Sequence, residues 1–192
     1  MKLNLPNKLT VLRVILVIPF LGALYLMRTE FFGSDTPKIS AAIALFIFAL
    51  ASFTDFLDGY IARKYKLITT FGKFMDPLAD KILTVSALIY FCTIWPFYSF
   101  GLPVILIIIR EFTVSGLRLV TADKGVVVPA NIWGKLKTAF TMIAIITVLV
   151  FMITGMNNLM IYIALGLVWV SAILTLISGF VYIKAYAAFL TE

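Results

Sequence analysis

Histidine is absent from the 192 residues of this chain, and cysteine occurs once, as Cys92. A disulfide within the chain is therefore excluded, and so is a catalytic triad built on histidine. Zinc sites usually take Cys or His ligands, so zinc is not expected. A bound metal would need oxygen ligands, which are typical of Mg²⁺ and Mn²⁺ sites. No P-loop or Rossmann glycine pattern indicates a nucleotide cofactor.

Acidic residues are also scarce, with nine Asp and Glu against sixteen Lys and Arg, for a net charge of +7. Hydrophobic residues make up 62% of the chain and the mean hydropathy is +1.09. Because this excess lies in long blocks, it favours a helical membrane protein over a barrel. No basic stripe with interleaved aromatic residues indicates nucleic acid as a partner. Cytoplasmic loops beside anionic membrane lipid account better for the positive charge.

Six segments are predicted to cross a membrane, since a span needs about 20 mostly apolar residues. They are Leu9–Met27, Ile39–Ala62, Met75–Trp95, Leu102–Val120, Lys137–Thr154 and Leu159–Ala185. The predicted fold class is an all-α polytopic membrane protein, with residues 1–192 forming one membrane domain. Basic residues concentrate in the loops after the second and fourth spans and favour the cytoplasmic side. Both termini are then expected in the cytoplasm, and the first span is expected to be retained.

Four of the nine acidic residues lie in one short stretch, as Asp55, Asp58, Asp76 and Asp80. Carboxylates beside membrane-length apolar runs are costly unless positive charge compensates them. The topology puts the first pair at the cytoplasmic end of the second span and the second pair at the start of the third. All four can therefore converge just inside the cytoplasmic face, where two divalent cations would compensate them.

The first pair belongs to a motif with helical spacing. Asp55, Asp58, Gly59 and Ala62 follow the spacing i, i+3, i+4, i+7, so they share one helix face. The lack of bulk at Gly59 and Ala62 would let a pyrophosphate approach the backbone. Arg63 ends the motif and could pair with phosphate.

The second pair continues the pattern, because Gly72, Asp76 and Asp80 are spaced by four and also share a face. A single aspartate at a helix end is more often a cap or a surface charge, and a single glycine in a membrane helix more often serves packing. Four carboxylates at this spacing, with both glycines, instead favour an all-oxygen site for two ions.

The complete pattern, D-x2-D-G-x2-A-R-x8-G-x3-D-x3-D, resembles the signature of the CDP-alcohol phosphotransferase family. Every signature position is matched between Asp55 and Asp80. Members of that family transfer a phosphatidyl or similar group from a CDP-linked donor to an alcohol and release CMP. The six-helix topology agrees with the family, and the resemblance also implies a homodimer.

The resemblance further implies a role for each motif residue. The four aspartates would bind two ions, Mg²⁺ or Mn²⁺, and Asp80 would also be the general base that takes the proton of the acceptor hydroxyl. Binding of the CDP group would fall to Gly59, Ala62, Arg63 and Gly72.

A second set of charged residues lies in and after the fourth span. Arg110 and Glu111 fall well inside that span, where a charge is a candidate for function, although a mutual structural ion pair is the alternative. Arg118, Lys135 and Lys137 cluster near the cytoplasmic face. They reflect either the positive-inside bias alone or an anion pocket for an acceptor that carries phosphate.

Together with the opening block that ends at Arg13, these blocks resemble the branch of the family that uses CDP-diacylglycerol as donor and sn-glycerol 3-phosphate as acceptor. The implied glycerol-phosphate ligands are Arg110, Arg118, Lys135 and Lys137. Further candidates, lining the cytoplasmic mouth, are Asn7, Thr10 and Arg13. Thr10 would equally suit a helix cap in the first turn.

Two alternatives remain open from the sequence. The same family includes enzymes with other acceptors, such as phosphatidylglycerol, serine or inositol phosphate. A cation transporter could also carry clustered carboxylates, but it would need polar groups deep in several spans. The last two spans carry no acidic or basic residue between Lys137 and Lys184, which disfavours a transporter.

Overall fold

A computed structural model describes residues 4–30, 33–65, 69–94, 96–123, 131–155 and 157–186. These ranges contain six α-helices: α1 Leu5–Leu26, α2 Thr36–Lys64, α3 Thr70–Phe91, α4 Gly101–Asp123, α5 Ile132–Thr154 and α6 Asn158–Tyr186. A short 3₁₀ turn, Phe97–Phe100, precedes α4. No β-strand occurs in the described ranges, so the all-α prediction is confirmed for them.

Five helical segments among the described residues are long and apolar enough to cross a membrane. They are Leu5–Leu26, Thr36–Ala62, Phe97–Arg118, Ile132–Thr154 and Asn158–Tyr186. In α3 the described apolar stretch is shorter, Lys81–Phe91. The chain therefore has the character of a helical membrane protein, while the sixth span and the cytoplasmic termini stay predictions.

The first helix begins four residues before the predicted start, and its first turn explains why. The side chain of Asn4 accepts a hydrogen bond from the backbone N–H of Asn7 at 3.0 Å, which caps the helix. Pro6 lies in the first turn, where a missing N–H costs no intrahelical bond. Thr10 lies inside the helix and donates its hydroxyl to the carbonyl of Pro6 at 3.2 Å, so Thr10 is not the cap.

The chain forms two compact units, and α1 packs against α2 in the first of them. Arg13 of α1 meets Asp55 and Asp58 of α2, whereas Phe20 meets Phe48 with ring centroids 6.1 Å apart. Because the contacts run in opposite order along the two helices, α1 and α2 are antiparallel. The buried positions of α1 recur at spacings of four and three: Pro6, Thr10, Arg13, Val17, Phe20 and Leu24. This repeat is the one that packs helices side by side.

The second unit contains the 3₁₀ turn, α4, the part of α5 up to Ile145, and α6. The buried stripe of α6 follows the same spacing, over Ala164, Val168, Ser171, Thr175, Ser178 and Tyr182. Its last four members carry hydroxyl groups. The stripe is thus apolar near the start of α6 and polar toward the end, where α6 packs against the charged residues of α4.

Candidate functional site

The first motif lies on one uninterrupted helix, as its spacing predicts. Since α2 runs from Thr36 to Lys64 without a break, Asp55, Asp58, Gly59 and Ala62 share one face. Asp58 is buried, with 3% of its surface exposed, whereas the side chain of Asp55 is 49% exposed. Gly59 and Ala62 are half-buried. The face therefore presents one accessible carboxylate next to one enclosed carboxylate.

A single arginine from α1 holds both carboxylates. Nη1 of Arg13 donates to Oδ1 of Asp55 at 2.7 Å, and Nη2 donates to Oδ2 of Asp58 at 2.5 Å. Arg13 is only 1% exposed, so this contact lies inside the first unit. We call Arg13, Asp55 and Asp58 the aspartate cluster. The structure thus places Arg13 directly on two predicted metal ligands, a contact that its sequence position did not reveal.

The charges and donor atoms of the aspartate cluster suit a divalent cation. One guanidinium against two carboxylates leaves a net charge of −1 on these three residues. All available donors are carboxylate oxygens, the ligands that Mg²⁺ and Mn²⁺ prefer. The residues present therefore fit the predicted ions.

The start of the second motif is attached to α1 as well. The hydroxyl of Thr69 donates to Oδ1 of Asn7 at 2.9 Å and accepts from the backbone N–H of Gly72 at 3.0 Å. Thr69 is thereby the N-cap of α3, and Asn7 anchors that cap. Gly72 is buried. Helix α1 thus contacts both motif helices. Its Arg13 binds the carboxylates of α2, and its Asn7 binds the residue that caps α3.

Three predicted site residues have side chains outside the described part of the structure, namely Arg63, Asp76 and Asp80. The backbone places Arg63 on α2 and both aspartates on α3. The convergence of four carboxylates stays a prediction, as do the roles assigned to these residues and to the motif glycines.

The second unit contains another buried charge cluster, centred on Glu111. Nη1 of Arg110 donates to Oε1 of Glu111 at 2.9 Å, and Nζ of Lys137 donates to the same oxygen. Nη2 of Arg110 donates to the hydroxyl of Ser178 at 2.5 Å. The three charged side chains are 9–12% exposed. The ion pair considered from the sequence therefore exists, but two cations share one carboxylate and a positive charge is left over.

Arg118 joins this cluster through Tyr182. Its Nη2 donates to the phenol oxygen at 2.9 Å, and the guanidinium carbons of Arg118 and Arg110 lie 5.3 and 5.6 Å from the Tyr182 ring centroid. We call Arg110, Glu111, Arg118, Lys137 and Tyr182 the Glu111 cluster. The fourth predicted acceptor ligand, Lys135, is exposed on α5.

Two glycines make room for Arg110 and its hydrogen-bond partner Ser178. A Cβ atom built on Gly179 would lie 2.9 Å from Cγ of Arg110, and one built on Gly134 would lie 3.4 Å from the Ser178 hydroxyl. Sequence reasoning missed Ser178, Gly179 and Tyr182. The signal that could have found them is the run of polar residues at spacings of four and three in an otherwise apolar helix.

Comparison with known proteins agrees with the motif. The sequence matches the family described as CDP-alcohol phosphatidyltransferase over residues 3–183. A Bacillus subtilis protein named CDP-diacylglycerol–glycerol-3-phosphate 3-phosphatidyltransferase is 40% identical over 187 residues, which covers 93% of this chain and 93% of that protein. Proteins of the same name are 40% identical in Rickettsia bellii, covering 95% and 94%, and 38% identical in Haemophilus influenzae, covering 96% and 94%.

The aspartate cluster generates a prediction about stability. Arg13→Met should lower the free energy of unfolding by about 3–5 kcal/mol, because it removes the charge that a buried carboxylate depends on. Adding Asp58→Asn to that variant should recover part of the loss. The matched control is Arg28→Met, at an exposed arginine just beyond α1. Chemical denaturation in detergent measures the free energy of unfolding of the three variants. An equal loss of stability in Arg13→Met and Arg28→Met would contradict the role of the Arg13–Asp58 pair.

A second prediction concerns the space beside Arg110. Gly179→Ala should destabilise the protein by about 1–3 kcal/mol, because the new methyl group would collide with the inner part of the Arg110 side chain. Gly166→Ala, in the same helix, meets nothing within 4 Å and should be neutral or stabilise by about 0.5–1 kcal/mol. Thermal unfolding of the two variants checks this, and identical midpoints would be the contrary result.

Proposed function

We propose that this chain, which belongs to the CDP-alcohol phosphatidyltransferase family, transfers the phosphatidyl group of CDP-diacylglycerol to sn-glycerol 3-phosphate. The products are phosphatidylglycerophosphate and CMP. Relatives named for this reaction are similar to the chain over almost its whole length. The observation that carries the proposal is the aspartate motif on one face of α2, with both described carboxylates held by a buried arginine.

The proposed donor site lies around the aspartate motif. Asp55, Asp58, Asp76 and Asp80 would hold two divalent cations, Mg²⁺ or Mn²⁺. Bound there, the cations would neutralise charge on the donor pyrophosphate and on the departing CMP. The carboxylate oxygens of Asp55 and Asp58, on one face of α2, support this assignment. Arg13 itself orients two of the ligands, so their oxygen atoms are held before any ligand binds.

The remaining motif residues have proposed roles in binding the nucleotide. Gly59, Ala62 and Gly72 have little or no side chain, which lets the CDP group lie against the helix backbone. Arg63 would pair with a phosphate oxygen of the donor. Phosphoryl transfer depends mainly on such positioning and on charge neutralisation.

Asp80 is the proposed general base. It would accept the proton of the attacking hydroxyl of glycerol 3-phosphate while the oxygen of that hydroxyl bonds to the lipid-linked phosphorus. The bond from that phosphorus to the CMP oxygen breaks, and CMP leaves with the electron pair. The proton passes to Asp80 and the electron pair of the broken bond leaves on the CMP oxygen, so the reaction needs no further reactant.

The Glu111 cluster supports the choice of a phosphorylated acceptor. Arg110 and Lys137 share the carboxylate of Glu111, and Arg118 bonds to Tyr182 beside them, so the charges of the cluster sum to +2. A phosphate monoester carries the complementary charge and accepts several charge-assisted hydrogen bonds. Lys135, exposed on the same helix as Lys137, would extend the pocket. Acceptors without a phosphate group, such as serine, would leave this charge uncompensated.

The proposed setting is the cytoplasmic membrane. The apolar helices support a multi-pass membrane protein, and the predicted topology turns the active site toward the cytoplasm. A homodimer is proposed from the family resemblance.

The direct test is an assay of the purified protein in detergent with CDP-diacylglycerol and radiolabelled glycerol 3-phosphate. We expect labelled lipid and stoichiometric CMP, both abolished by a chelator and restored by Mg²⁺ or Mn²⁺. Phosphatidylglycerol, serine and inositol phosphate, offered instead as acceptors, should give little CMP. CMP release with one of these and none with glycerol 3-phosphate would overturn the acceptor. Metal flux in liposomes without CMP formation would overturn the activity.

Replacement of the proposed base gives a sharper prediction. Asp80→Asn should lower kcat by about 10²–10⁴-fold while the protein stays folded, because an amide cannot accept the proton. Asp35→Asn is the matched control, since Asp35 lies just before α2 and makes no side-chain capping bond. It should retain full activity. Normal turnover by Asp80→Asn would remove Asp80 from the mechanism.

A further inference from the structure

The hydroxyl of Tyr182 joins three helices of the second unit. Tyr182 lies on α6 with 3% of its surface exposed. Its oxygen accepts one hydrogen bond from Nη2 of Arg118 on α4, at 2.9 Å, and another from the backbone N–H of Asn131, also at 2.9 Å. Asn131 immediately precedes α5. One buried oxygen atom therefore fixes the end of α6 to a cation of α4 and to the first residue before α5.

The ring of Tyr182 lies close to two like charges. The guanidinium carbons of Arg110 and Arg118 both lie within 6 Å of its centroid, the distance range of cation–π attraction. Two guanidinium groups this close to one ring repel each other unless a negative or π-electron surface compensates them. The ring also packs with Val114 and Leu117, so its plane is held by apolar contacts and not only by the arginines.

The contact with Asn131 extends this control to the lysines of α5. The carbonyl of Asn131 accepts a hydrogen bond from the backbone N–H of Lys135 at 3.2 Å. The side-chain oxygen of Asn131 accepts one from the backbone N–H of Trp133 at 3.1 Å. Asn131 thus caps the helix that carries Lys135 and Lys137. The bond from Asn131 to Tyr182 therefore holds the start of α5 in place. The position of α5 in turn determines how Lys137 reaches Glu111.

We propose that Tyr182 is the residue that positions the cationic side chains for the phosphate of the acceptor. This inference rests on the proposed function, since it assigns Tyr182 to the binding of glycerol 3-phosphate. Tyr182 already uses its hydroxyl on Arg118 and Asn131 and its ring on both arginines. Its proposed role is to hold these groups in place, so its loss should weaken acceptor binding and leave the chemical step intact.

The informative variant is Tyr182→Phe, which keeps the ring and its packing and removes only the hydroxyl. We expect the KM for glycerol 3-phosphate to rise about tenfold, as for a lost hydrogen bond to a charged group. The kcat and the KM for CDP-diacylglycerol should stay within about twofold of wild type. Tyr182→Leu, which also removes the π surface, should raise the acceptor KM further. The control is Tyr162→Phe, the same change at a 70% exposed position of the same helix.

Two results would overturn the inference. One is an unchanged acceptor KM in Tyr182→Phe. The other is a parallel change in kcat, in both KM values and in the thermal unfolding midpoint, which is what a purely structural role would give. A wild-type protein that is inactive with glycerol 3-phosphate refutes the proposed function instead. In that case the role of Tyr182 is tested by the rise in unfolding midpoint that inorganic phosphate produces. An equal rise in the wild type and in Tyr182→Phe would refute that role.

Discussion

The pairing of Arg13 with Asp55 and Asp58 is the interaction on which the first unit depends. Moving a carboxylate out of water costs several kcal/mol unless a close partner compensates it, and Asp58 is almost fully buried. The salt bridge from Arg13 provides that compensation, and with its second bond to Asp55 it also ties α1 to α2. Asn7, two turns earlier in α1, holds the cap of α3. The same helix thus organises both halves of the motif.

The aspartate cluster and the Glu111 cluster differ in the sign of their summed charge, and the proposed function assigns each of them a different kind of ligand. The aspartate cluster has two carboxylates and one guanidinium, and it is the proposed site for divalent cations and, through them, a pyrophosphate. The Glu111 cluster retains positive charge after its carboxylate is counted, which favours a phosphate directly. In both clusters a buried ion bridges two ions of the opposite sign: Arg13 bridges Asp55 and Asp58, and Glu111 bridges Arg110 and Lys137.

Local features were predictable from sequence, and long-range contacts were not. Helical geometry alone puts Asp55 and Asp58 on one face, and hydropathy alone indicates an all-α chain. The two partners of Arg13 lie 42 and 45 residues away in the sequence. Their contact with Arg13 depends on how α1 and α2 align, which the spacing of residues within one helix does not specify. Tyr182 was missed for the same reason, because its hydroxyl bonds residues 51 and 64 positions away. The earlier start of α1 follows from the Asn4 cap, a signal that hydropathy overlooks.

The central claim, that the motif carboxylates hold divalent cations, is tested most directly by titrating the purified protein with Mn²⁺ and following bound ion by electron paramagnetic resonance. In the presence of CDP-diacylglycerol, we expect two bound ions per chain in the wild type and in Asp35→Asn. We expect loss of binding when Asp55 and Asp58 are both changed to Asn. An absence of bound Mn²⁺ in the wild type, or an unchanged number of ions in the double variant, would contradict it.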